Sequence, residues 1–103
     1  MTVTVRQAKK SRTELQGALE YAADYLVKDE EHAALGHQAA GLVQRLDGLE
    51  IEGRETDNAS DGDVQLLTEA TDLGKAILDR TDAGRKLARV RGWIEDADEA
   101  LRS

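Results

Sequence analysis

The sequence has 103 residues, no cysteine, and 21 acidic against 14 basic side chains, for a formal net charge of −7. That is one domain without disulfides, cysteine-based zinc sites or thiol nucleophiles, and its charge opposes non-specific binding to nucleic acid or anionic lipid. With no Phe, one Trp (Trp93) and two Tyr (Tyr21, Tyr25), the core must be mostly Leu and Ala, thin enough that oligomerisation or docking would add stability.

The apolar residues recur in alternating steps of three and four, which places them on one face of a helix. In the first segment the stripe is Val5, Ala8, Leu15, Leu19, Ala22 and Leu26, with Arg12 in one core-register slot. It predicts a helix over 4–28. Continued past Leu26, the same register would put Asp29, Gly36 and Asp47 in the seam, so the chain should turn near Lys28 to Glu31. Asp29 is the expected N-cap there, with Glu30 and Glu31 in the first turn, where the helix dipole favours negative charge.

The second stripe is Leu35, Ala39, Leu42, Leu46 and Leu49, predicting a helix over 31–49. Residues 50–60 carry no stripe and read as the longest loop. Ser60 with Asp63 resembles a weakened capping box that opens a third helix over 61–80. Its stripe is Leu66, Ala70, Leu73 and Ile77, widened by Leu67 and Leu78. Arg80 to Gly84 reads as a turn, with Thr81 or Asp82 capping a fourth helix over 83–102. That helix carries Leu87, Val90, Ile94, Ala97 and Leu101.

Seven-residue spacing of this kind packs helices at shallow angles, as in coiled coils and bundles. The expected fold is all-α: one domain over 1–103, a four-helix bundle of two antiparallel hairpins (4–49 and 61–102), running up-down-up-down and open to completion by oligomerisation. A shift of 52 residues superposes Leu15 on Leu67, Ala18 on Ala70 and Leu42 on Ile94. An internal duplication would produce this, and so would any two amphipathic hairpins of equal length.

Helix one begins with Arg6, Lys9, Lys10 and Arg12 and ends with Glu20 and Asp24. Helix four begins with Arg85, Lys86, Arg89 and Arg91 and ends with Glu95, Asp96, Asp98 and Glu99. Both run against the helix dipole. Antiparallel packing of helices one and four would set each basic start beside the other's acidic end. Pairing of two copies of helix four about a two-fold axis would do the same.

Four motifs bear on chemistry. Asp29 stands three residues before His32, and the string Glu30 to Leu35 (EEHAAL) resembles the Glu-x-x-His helix of ferritin-like carboxylate proteins. The resemblance implies a metal site that needs a second half from another helix or copy, with Glu14 or Glu20 as added carboxylate. The plainer reading is two surface histidines. His37 lies five residues from His32, off its helical face. Asp57, Asp61, Gly62, Asp63 and Val64 resemble part of an EF-hand calcium loop, but Ala59 takes the third place and Thr68 the twelfth, with Glu69 one residue late. No metal or other cofactor is expected. Arg85, Lys86, Arg89 and Arg91 could contact phosphates, as in a nucleic-acid-associated regulator, although the net charge opposes it. No catalytic constellation is present.

Tyr21, Tyr25, Val43 and Trp93 widen the apolar stripes beyond what a two-helix contact requires. They read either as bundle filling or as a docking face, for which Tyr and Trp are favoured anchors. The expectation is therefore a non-enzymatic interaction, adaptor or structural protein that associates with itself or with another protein. A component of a virus or phage particle, or of a cellular assembly, would fit. The composition carries no signal for secretion or membrane insertion, so the cytoplasm or a viral particle is the expected location. The acidic excess with Arg outnumbering Lys suits a salt-adapted source.

Overall fold

The computed structural model describes residues 3–80 and 87–102. Four helices form: α1 (Val5–Leu26), α2 (Ala33–Asp47), α3 (Asp61–Arg80) and α4 (Ala88–Arg102). α1 is the hub and touches the other three. α2 and α4 each flank α3, and among the described residues they do not touch each other. The principal extents of 42 × 23 × 17 Å are those of helices lying side by side in two layers.

α1 realises its stripe in full: Val5, Ala8, Leu15, Leu19, Ala22 and Leu26 are all inaccessible to solvent. Its start is fixed twice over. Thr4 and Gln7 form a reciprocal capping box: the Thr4 hydroxyl accepts from the Gln7 backbone N–H (3.2 Å), and Gln7 Oε1 accepts from the Thr4 N–H (2.8 Å). The next free donors reach into the 50–60 segment, where the Val5 N–H meets the Asp57 carbonyl (2.8 Å) and the Arg6 N–H meets that of Glu55 (3.2 Å). A single antiparallel bridge joins Thr4 to Asn58, and Val3 and Ile51 close the core at this end. The expected loop is thus anchored backbone.

α2 begins at Ala33, two residues later than expected, and its N-cap position is His32, not Asp29. Asp29 fails as a cap because its carboxylate is used locally. Oδ1 accepts from the Glu31 N–H (3.1 Å) and Oδ2 meets the His32 ring (3.1 Å), holding 27–32 as successive turns. At the other end of α2, Arg12 explains its place in the core register. Its Nη1 donates to the Leu49 carbonyl (2.6 Å), one turn from Gln16 Nε2 donating to Asp47 (3.2 Å). These bonds tie α1 to the C-terminal end of α2.

α3 starts as expected: Ser60 Oγ accepts from the Asp63 N–H (3.2 Å), with Asp61 and Asp63 in the first turn. Its buried face is rotated from the expected one. Leu67, Ala70, Thr71, Gly74 and Ile77 are buried, whereas Leu66 and Leu73 are only half-buried. The cause is Gly74. With no side chain there, Ile94 of α4 packs directly onto the α3 backbone, so the face containing residue 74 turns inward. α4 buries Val90, Ile94, Ala97 and Ala100, with Leu87 just before it. The turn and cap expected at Thr81 and Asp82 lie outside the described residues, as does the start of the fourth helix expected at 83.

Candidate interaction surface

The expected aromatic residues converge on one outer face. Trp93 of α4 lies against Gly17 of α1, whose α-carbon would place an added Cβ 3.9 Å from the indole Cε3 and Cζ3. One turn along, the Tyr21 ring meets the indole edge-on, with centroids 6.5 Å apart and planes at 82°. This geometry suits the ring quadrupoles. Trp93 is half-buried, but Tyr21 remains 44% exposed, an unusual position for a large aromatic side chain. Tyr25 packs partly on the core a turn further on, beside Lys28 and Glu30. Val43 is also half-buried, but it belongs to α2, which does not reach α4. The four residues are therefore a pair (Tyr21, Trp93), a neighbour (Tyr25) and an outlier.

Two glycines shape this face, and the search for apolar residues passes over both. Gly17 gives the indole its seat. Gly92 sits within α4 and is exposed, and apart from its neighbours and its own helix backbone no atom lies within 4 Å of where its Cβ would stand. A mid-helix glycine in a polar stripe is the available sequence signal, since it costs helix stability and needs a reason.

At the start of α1, Arg6 and Lys10 share a shallow cleft with Asp96 and Glu99 of α4, so a basic start does lie beside an acidic end. Of the candidate phosphate contacts, Arg85 and Lys86 lie outside the described residues. Arg89 and Arg91 are both exposed, on different flanks of α4, since residues two apart do not share a helix face. Arg91 borders a cleft with Asp79, Glu95 and Asp98, an acidic setting.

A second depression lies between α2 and α3. It is a cleft of about 420 Å³ floored by Gly41, Leu42 and Leu73 and bordered by the Arg45–Glu69 ion pair (3.3 Å). It follows from the rotation of α3, which leaves Leu73 at the seam's edge. The expected register did not reveal it.

His32 has a structural role. Nδ1 lies 3.1 Å from Asp29 Oδ2 and Nε2 lies 3.2 Å from the Arg80 carbonyl, linking the α1–α2 turn to the end of α3. Both partners are acceptors, so only the imidazolium satisfies both. The Asp29 carboxylate accordingly raises the His32 pKa above its ordinary value, and His32 with the Glu31 N–H lowers that of Asp29. Among the described residues no three His, Asp or Glu side chains are grouped to hold a metal ion. The likeness to a calcium loop ends at Asp61, because 61–68 is helix and Asp57 Oδ2 accepts from the Arg54 N–H (2.9 Å). Among the described residues no helix is long and apolar enough to cross a membrane.

Compared with protein-family models, with curated proteins and with solved structures, the chain matches none.

Proposed function

We propose that this chain is a non-enzymatic interaction protein that self-associates and docks through the outer face of α1 and α4. The observation that carries this reading is the Tyr21–Trp93 pair. A bundle core needs only one stripe per helix, yet two of the three aromatic side chains lie outside the stripe, edge-on to each other, with Tyr21 facing solvent. Tyr and Trp in such a position lose little entropy on docking and bury large areas. The thin core supports the same reading, since its buried apolar residues are all Leu, Ala, Val and Ile, with no aromatic among them.

The bundle behind this face reads as up-down-up-down. Support comes from the α1–α2 and α2–α3 seams, where residue numbers rise on one helix as they fall on the next. Arg12 meets Leu49 while Gln16 meets Asp47, and His32 meets Arg80 while Arg45 meets Glu69. Such a scaffold presents α1 and α4 side by side as one rigid surface, suited to a structural or adaptor role.

The test is light-scattering mass after size exclusion across a dilution series, at about 0.15 M salt and in molar salt, with Trp93 fluorescence on the same samples. A helical oligomer of fixed mass, whose emission shifts to the red as it dissociates, is the expected result. A monomer at every concentration and both salts would overturn self-association.

A further inference from the structure

We infer that the occupant of this face is a second copy of the chain, packed α4 against α4 about a two-fold axis that passes between Gly92 and Trp93. This rests on the self-association proposed above and specifies its interface.

The argument begins with the outer stripe of α4. Arg89, Trp93 and Asp96 follow steps of four and three, Arg89, Gly92 and Asp96 steps of three and four, and the adjacent Gly92 and Trp93 form the two edges of one outer face about 100° wide. Arg89, Gly92 and Asp96 are exposed and Trp93 half-buried. Among the described residues, neither Arg89 nor Asp96 has an ion-pair partner within 4.0 Å, although Lys75, Asp98 and Arg102 nearby are all paired; Asp96 stands at the edge of the cleft it shares with Arg6 and Lys10 of the same chain. The stripe is thus a base, a gap, a ring and an acid.

A two-fold axis perpendicular to a helix reverses its copy, so residues equidistant from the axis face each other. With the axis midway between 92 and 93, Trp93 faces the partner's Gly92 and Asp96 faces the partner's Arg89. Each contact occurs twice. The indole fills the space above a residue with no side chain, where, apart from the two neighbouring residues and the backbone of its own helix, nothing of the chain stands within 4 Å. The two charges lie about 10 Å apart along one helix, too far to pair with each other, and each meets its opposite on the partner. Glycine at the crossing also lets the backbones approach to the short end of the usual 8–10 Å interaxial range. Tyr21, edge-on to the indole, then borders the contact and excludes water from its rim.

The symmetry provides its own test. Arg89→Glu and Asp96→Arg are each made in the full chain, and helix content is checked by circular dichroism. Each variant alone sets like charges opposite each other twice, so its self-association weakens by about tenfold or more. Mixed together, the two variants form a heterodimer in which every pair is again opposite in sign, and the double variant in one chain recovers as well. Recovered mass in the mixture is the expected result. A wild-type dimer whose mass and affinity are unmoved by either variant would overturn this interface and leave self-association standing. A wild-type monomer would overturn both. Variants that weaken association and fail to rescue each other would also overturn the two-fold pairing.

Discussion

The two hairpins close on different kinds of contact. In α1–α2, Gly36 lies against the main chain: an added Cβ would stand 2.8 Å from Val27 N and 3.1 Å from Leu26 C. In α3–α4, Gly74 lies against a side chain. Its Cβ would meet Ile94 Cδ1 most closely and Cγ1 at 2.9 Å. Main chain held by helical hydrogen bonds cannot move aside, whereas an isoleucine can change rotamer. The same residue type therefore sets a rigid crossing in one hairpin and an adjustable one in the other, and the difference can be read as unequal tolerance of a single methyl group.

Gly36→Ala should carry the largest effect, a loss of about 3 kcal/mol in urea unfolding, at the upper end for overpacking. A loss no greater than that of Gly74→Ala would break the comparison. Gly74→Ala should cost about 1–2 kcal/mol. Ile94→Val, which removes the clashing methyl, should then cost less in the Gly74→Ala background than alone; additive losses would show that Ile94 does not bear the clash. Gly41→Ala is the control with opposite sign. Its Cβ meets nothing within 4 Å, so helix propensity alone should raise stability by about 0.5–1 kcal/mol.

The smallest effect concerns the turn that completes the rigid hairpin. The folded-state pKa of His32 is raised, so its contribution is fully present below the ordinary histidine value and is lost as pH rises through the raised one. The unfolding midpoint of the wild type should fall over that window relative to His32→Gln. Parallel pH profiles would remove His32 as the tie between the turn and α3.

How far the sequence could be read follows from which residues carry information by position alone. The α1 stripe is buried residue for residue, because its seven-residue spacing sets an inward face all along the helix. Arg12 stood out as a charge in a core slot, but its acceptor, Leu49, lies 37 residues away, beyond any local pattern. The face of α3 differs from the apolar stripe because apolar spacing gives glycine no weight, and Gly74 with Thr71 lies on the buried side. Ser11, buried and without a hydrogen-bond partner for its hydroxyl among the described residues, is invisible to the same counting. Asp29 departs from the expected cap because a carboxylate can satisfy a cap or a turn, and His32 three residues on favours the turn. Of the proposed face, Tyr21 and Trp93 were legible as residues outside the stripe; their contact, and the place of Gly17 and Gly92 beside them, required the fold.

The opening turn of α1 draws its acceptors from Glu55 and Asp57, near the middle of the chain. On the ribosome, where about 5–20 residues are added per second, those carbonyls emerge roughly 3–10 s after the amides they receive. Until then the Val5 and Arg6 N–H groups lack these acceptors, and the part of α1 that packs on α3 and α4 stays uncovered. The first half of this protein is therefore not a finished unit awaiting a second, and a nascent chain paused before residue 55 would be the form most in need of a chaperone.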